Sequence, residues 1–125
     1  LVPKSLTLGV GCRRGTSAEA IERAAELALT GLDPLAVGGA ATIDLKKDEA
    51  GLLAFCERRG WPLRTYSAEE LSRAAGEFTP SAFVKSVTGV DNVCERAAVM
   101  EGGVLIVPKR AENGVTTAVA RRLEI

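Results

Sequence analysis

Residues 9–17, Gly-Val-Gly-Cys-Arg-Arg-Gly-Thr-Ser, gather three glycines, two adjacent arginines, a thiol and two hydroxyls into nine positions. A glycine loop between a strand and a helix presents backbone N–H groups to an anion. Arginine adds a planar fork of donors that matches a carboxylate. The chemistry this predicts is anion recognition. Gly9, Gly11, Gly15 and Thr16 shape the cradle, Cys12 belongs to the same binding loop, and Arg13 or Arg14 pairs with the anion. Two nucleotide motifs fail on spacing. The dinucleotide fingerprint needs a glycine where Arg14 stands, and the phosphate loop needs a lysine between Gly15 and Thr16. A phosphate or nucleotide site is therefore only a fallback, and a plain tight turn is the alternative to any site.

Other charged residues extend the set. Lys46, Lys47, Arg96, Lys109 and Arg110 are basic residues of later loops, and Asp44, Asp48, Glu49 and Glu95 are acids among them. Taken singly, each basic side chain reads as a solvated surface group. Taken together, at one edge of a sheet, they read as a binding set, with Lys46, Lys47 and Lys109 as supporting contacts. Asp48 and Glu49 read as charges that complement a helix N-terminus. Glu95 is counted with the ligand-binding set, and otherwise reads as a helix cap or as a partner that orients Arg96. The chain has no histidine, which removes the usual general base and the usual zinc ligand. Hydrolysis would need Asp44 or Glu95 as base and the N–H groups of residues 11–16 as oxyanion donors. Cys12, Cys56 and Cys94 show no paired spacing and are odd in number. They predict three free thiols and no metal site. No cofactor is expected.

The elements that must position these residues alternate. A strand is predicted over 5–11. Thr16 or Ser17 caps the following helix, with Thr16-x-x-Glu19 as a capping box, and Gly31 stops it. A weaker strand covers 36–45. A helix covers 48–59, with Leu52, Leu53, Phe55 and Cys56 on its apolar side and Gly60 at its end. A short strand covers 62–66, and Ser67-x-x-Glu70 opens a helix to Ala75. Residues 76–92 read as irregular. Asn92-x-x-Glu95 opens a helix that Gly102 and Gly103 stop. The run 104–108 is the most apolar strand and is predicted to be central. A last strand covers 115–124, joined to it through an Asn113-Gly114 turn as an antiparallel hairpin. This order predicts a three-layer α/β/α domain over 1–125, with a mostly parallel sheet of about five strands. In such sheets ligands bind beyond the carboxyl ends of the strands. Loops 11–16, 44–48 and 108–113 fall there, and loop 88–92 can join them.

Composition agrees with one soluble domain. The chain has 125 residues, 46% apolar and 26% charged, and its sixteen basic and sixteen acidic residues cancel. Zero net charge argues against general affinity for nucleic acid or an anionic membrane. No run approaches the roughly 20 apolar residues of a membrane span. The start at Leu1, without a methionine or a signal-like segment, implies a few missing or processed residues and a cytoplasmic location.

Four stretches in order, LGVGCRRGTS, ATIDLKKDEAGLLAF, VTGVDNVCERAAVM and VPKRAENGVTTAVA, resemble the C-terminal domain family of CobE and CbiG, from cobalamin biosynthesis. The resemblance runs from about residue 8 to residue 120. It departs from the family pattern at Asp91, at Cys94 and at the Gly38-Gly39 pair. It implies an α/β/α domain that occurs alone as CobE or as the last domain of CbiG. It implies a corrinoid or precorrin ligand, a macrocycle fringed with carboxylates, and other enzymes of the pathway as possible partners. CbiG-type enzymes open the lactone of cobalt-precorrin-5A and release acetaldehyde. They carry further domains, so the resemblance implies a binding or accessory role first and a hydrolase second.

Overall fold

The computed structural model describes residues 4–74, 76, 78 and 90–122. Along them run β1 (Leu6–Cys12), α1 (Ala18–Ala28), β2 (Val37–Ile43), α2 (Ala50–Arg59), β3 (Leu63–Tyr66), α3 (Ala68–Ser72), α4 (Val93–Val99), β4 (Gly103–Glu112) and β5 (Val115–Arg122). Single 3-10 turns at Pro34–Ala36 and Asp44–Lys46 flank β2. The predicted strand residues 123 and 124, Ala75 of the predicted helix, and most of 76–92 lie outside the described residues.

Local chemistry sets the element ends. The Ser17 hydroxyl accepts from the Ala20 N–H and caps α1, so the cap is Ser17 and not Thr16. The Thr16 hydroxyl instead donates to the Arg13 carbonyl at 2.6 Å and closes the loop on itself. Gly60 ends α2 with φ 70°, a left-handed conformation that costs glycine little. Ser67 and Glu70 form the reciprocal capping box of α3, and the Asn92 side chain accepts from the Glu95 N–H at the start of α4. Asn113 and Gly114, with φ 48° and 80°, make the two-residue turn of the β4–β5 hairpin.

The five strands form one sheet in the order β3-β2-β1-β5-β4. β1 pairs parallel with β2, and β2 with β3, whereas β5 pairs antiparallel with both β1 and β4. The sheet is thus mixed, where a mostly parallel one was expected. The predicted hairpin is present. The expected central strand is not central: β4 is an edge strand, with Val104 48% and Ile106 37% exposed. Its apolar residues are spread over both faces, and alternate ones face solvent. The middle of the sheet is β1, whose Leu6, Leu8 and Val10 are buried.

Helices cover both faces. On one, α1 and α2 pack Ile21, Ala24, Ala25, Leu52 and Phe55 against Leu6, Leu8, Val10 and Val119. Burying a phenylalanine contributes roughly 1.5–3 kcal/mol, and Phe55 meets the edge of Trp61 at 5.6 Å between centroids. Leu53, expected on the apolar side of α2, is 43% exposed. On the other face, Leu71 of α3 and Val93 and Ala97 of α4 pack on Ala41 and Ile43. Cys94 and Ala98 pack on Ala118 and Ala120. Here the sheet offers small residues, and α4 comes close to it. A Cβ on Gly9 would lie 1.8 Å from the Cys94 carbonyl oxygen.

Candidate functional site

The carboxyl ends of β1 and β2, the β4–β5 turn and the start of α4 meet around a cavity of about 630 Å³. That is the size of an ordinary small-molecule site, roughly 300–1,000 Å³. Ile43, Leu45, Val93, Ala111 and Val115 supply its apolar wall, and Arg13, Arg14, Lys46, Glu49 and Lys109 its charges. Leu45 is 65% exposed and forms an apolar lip. Two cysteines, Cys12 and the buried Cys94, are also among the lining residues.

Loop 12–17 is held from below. The Gly15 N–H donates to a Glu49 carboxylate oxygen at 3.2 Å, and the Thr16 N–H returns to the Arg13 carbonyl. The loop thereby projects Arg13 and Arg14 outward. Among the described residues neither arginine has a carboxylate partner, whereas Lys46, Arg58, Arg59, Arg64 and Arg96 are each ion-paired. A smaller hollow of about 260 Å³ lies at the opposite end of the strands, lined by Lys4, Leu35, Arg59 and Trp61. Its cations are engaged: Lys4 donates to the Leu35 carbonyl, and Arg59 pairs with Glu22 and lies over Trp61.

The structure sorts the residues singled out in the sequence. Gly11, Cys12, Arg13, Arg14, Lys46 and Lys109 come together on the cavity. Gly15 and Thr16 shape the loop from outside the lining, with the Gly15 N–H already satisfied by Glu49. Gly9 and Gly11 serve close packing: a Cβ on Gly11 would meet the Thr116 hydroxyl at 2.5 Å. Lys47, Asp44, Asp48 and Arg110 are exposed and lie off the lining. Glu95 is 1% exposed. It accepts from the Asn92 side-chain amide and, at 2.8 Å, from the Lys109 backbone N–H, so it ties α4 to β4. Arg96 is oriented by Asp91, at 2.6 Å, and not by Glu95. Glu49, read in the sequence as a helix-terminal charge, is the one acid on the lining among the described residues. Its contact with Gly15 spans 34 positions, so no local pattern announces it.

The thiols are protonated at neutral pH. Burial raises the Cys12 pKa, with the Lys46 ammonium opposing and Glu49 adding to the rise. Burial pushes Cys94 and Cys56 up to about 11. All three are free. Among the described residues no group of three His, Cys, Asp or Glu side chains is placed to hold a metal ion. No helix there is long and apolar enough to cross a membrane.

Residues 6–120 match the family described as Cobalamin synthesis G C-terminus. The chain belongs to that family. It is 36% identical over 121 residues to Protein CobE of Sinorhizobium sp, covering 92% of this chain and 79% of that protein. It is 40% identical over 122 residues to the cobalt-precorrin-5A hydrolase of Priestia megaterium, covering 94% of this chain and 32% of that protein. The chain thus spans about a third of the length of that hydrolase. In structure it superposes on crystalline CobE, a protein from the cobalamin (vitamin B12) biosynthetic pathway, with a TM-score of 0.88 at 30% identity. That match covers 95% of this chain and 91% of CobE. The chain thus shares the fold of CobE.

Proposed function

We propose that this domain binds a corrinoid or precorrin intermediate of cobalamin biosynthesis in the cavity at the carboxyl edge of the sheet. The observation that carries the reading is the pairing of an apolar wall with Arg13 and Arg14, which stand at the cavity without carboxylate partners among the described residues. A corrinoid is a broad apolar macrocycle fringed with acetate and propionate groups. Ile43, Leu45, Val93 and Val115 suit the ring. Arg13 and Arg14 suit bidentate pairing with peripheral carboxylates, and Lys109 suits a point contact. The macrocycle rests against the apolar lip at Leu45, and the domain shelters or carries it between enzymes of the pathway.

Lactone opening is the second reading. It is favoured by the likeness to cobalt-precorrin-5A hydrolases over this domain and by one carboxylate, Glu49, on the cavity wall. Both oxygens of that carboxylate are already engaged, one by the Gly15 N–H and the other by the Lys46 ammonium at 3.8 Å, so neither is turned to a water in the cavity. Binding is therefore preferred.

Titration with a set of late corrinoid intermediates, followed by visible absorbance, tests the reading. A saturable spectral shift at one-to-one stoichiometry is expected. No shift with any member of the set would overturn it. Incubation with a corrinoid lactone separates the two readings, because only a hydrolase adds water and releases acetaldehyde.

A further inference from the structure

Glu49 is out of place in a cavity whose other charges are basic. It sits at the N-cap position of α2, yet its side chain makes no capping bond to that helix. The carboxylate turns instead to the neighbouring loop. One oxygen accepts from the Gly15 N–H at 3.2 Å, and the other lies 3.8 Å from the Lys46 ammonium. Both side chains of the ion pair are largely enclosed, at 19% exposure for Lys46 and 14% for Glu49. A backbone N–H in a glycine loop and a lysine ammonium are the two donors an incoming anion would use. Here the protein supplies the anion itself.

We propose that Glu49 is a specificity-determining residue: its carboxylate fills the anion position made by Gly15 and Lys46, so ligand carboxylates are steered to Arg13 and Arg14 and refused at this corner. The inference rests on the binding reading above for the identity of the ligand, but not for the occupancy of the corner. A carboxylate brought to Glu49 would meet a like charge at short range in a partly dry site, where repulsion is strongest. An amide N–H or other neutral donor would meet an acceptor with lone pairs to spare. The cavity therefore distinguishes an amidated from an unamidated side chain at the point of the macrocycle nearest loop 44–49.

Two experiments test this independently. In the first, inorganic sulfate is titrated into the parent and into Glu49→Ala while the Gly15 amide is followed by nuclear magnetic resonance. The alanine removes the resident carboxylate and no capping bond, so the fold is expected to persist, which the spread of the amide spectrum checks. The Gly15 amide should move along a saturable curve in the variant and stay still in the parent. Equal movement in both, or none in the variant, would overturn the proposal. Glu49→Gln keeps the shape without the charge and should respond between the two.

In the second, affinity is measured for dicyanocobyrinic acid, with a carboxylate periphery, and dicyanocobinamide, with an amidated one. Glu49→Ala should gain about tenfold for the acid, the worth of one charge-assisted hydrogen bond, and little for the amide. Equal change for both, or loss for the acid, would overturn the proposal. If neither corrinoid binds either protein while the sulfate result holds, the corrinoid assignment falls and the role of Glu49 in filling the corner stands.

Discussion

Replacing Gly9 by alanine should destabilise the domain and damage the cavity together. An added Cβ would lie 1.8 Å from the Cys94 carbonyl oxygen, 2.8 Å from its carbonyl carbon and 3.0 Å from the Ala98 Cβ. An ordinary C···O contact begins at about 3.3 Å, so α4 would have to retreat by roughly 1.5 Å or β1 would have to buckle. The obstacle is backbone, and no rotamer change relieves it. Overpacking of this kind costs about 3 kcal/mol, at the upper end of the usual range, which for a domain of this size lowers Tm by about 10 °C. α4 also brings Asn92, Val93 and Cys94 to the cavity and anchors β4 through Glu95, so ligand affinity should fall with stability. Urea unfolding followed by circular dichroism and by the fluorescence of Trp61 measures the first effect. Gly60→Ala is the control: Gly60 has φ 70° and no atom within 4 Å of its added Cβ, so only the left-handed strain of roughly 1–2 kcal/mol applies. A Gly9→Ala protein within about 0.5 kcal/mol of the parent, the range of an ordinary surface change, would refute the close approach of α4 to β1.

Further outcomes follow from the same contacts. Glu95→Ala removes the acceptor of the Lys109 N–H and one acceptor of the Asn92 amide and should cost roughly 1–3 kcal/mol, read from the urea midpoint. Ser67→Ala removes the cap of α3 and should cost about 1 kcal/mol by the same assay. Cys56 and Cys94 hold their protons in the fold up to about pH 11, against an ordinary value of 9.0. Their contribution is therefore fully present below pH 9 and lost as pH rises towards 11, and a Cys56→Ala, Cys94→Ala protein should show a shallower alkaline decline in urea stability. In the native protein a thiol reagent should label Cys12 ahead of the two buried thiols, and denaturation without reductant should release all three.

Much of this fold is legible in the sequence because punctuation is local. The serine and asparagine caps at Ser67 and Asn92, the stop at Gly60 and the Asn113-Gly114 turn each act through neighbours within four positions, and each does what its pattern predicts. The place of a strand in the sheet is not local. Residues 104–108 are more apolar than β1 or β2, yet β4 lies at the edge, because the interior strands are built from glycine and alanine where α4 comes close. Apolar content registers side-chain bulk, and here the interior is made by small residues. The site divides in the same way. The arginine loop is visible as a run of donors, and the topology brings it beside Lys46 and Lys109. The one-residue ambiguity between Thr16 and Ser17 as cap is settled by which hydroxyl the loop needs for its own closure. Glu49 escapes the sequence because its meaning lies in a contact with Gly15 across two elements.

In the binding reading proposed above, Arg13 and Arg14 hold the carboxylates of a corrinoid in the cavity. Affinity of the parent and of the Arg13→Ala, Arg14→Ala protein for a carboxylate-bearing corrinoid, compared at low and at physiological salt, tests it most directly. Both side chains are exposed loop residues without ion pairs among the described residues, so the double variant should keep its fold and its melting temperature. It should bind about ten- to a hundredfold more weakly for the loss of one charge-assisted hydrogen bond at roughly 1.5–3 kcal/mol, and more weakly still if both arginines engage. The parent alone should lose affinity noticeably with salt. A folded double variant that binds as tightly as the parent, with the same salt dependence, would contradict the claim.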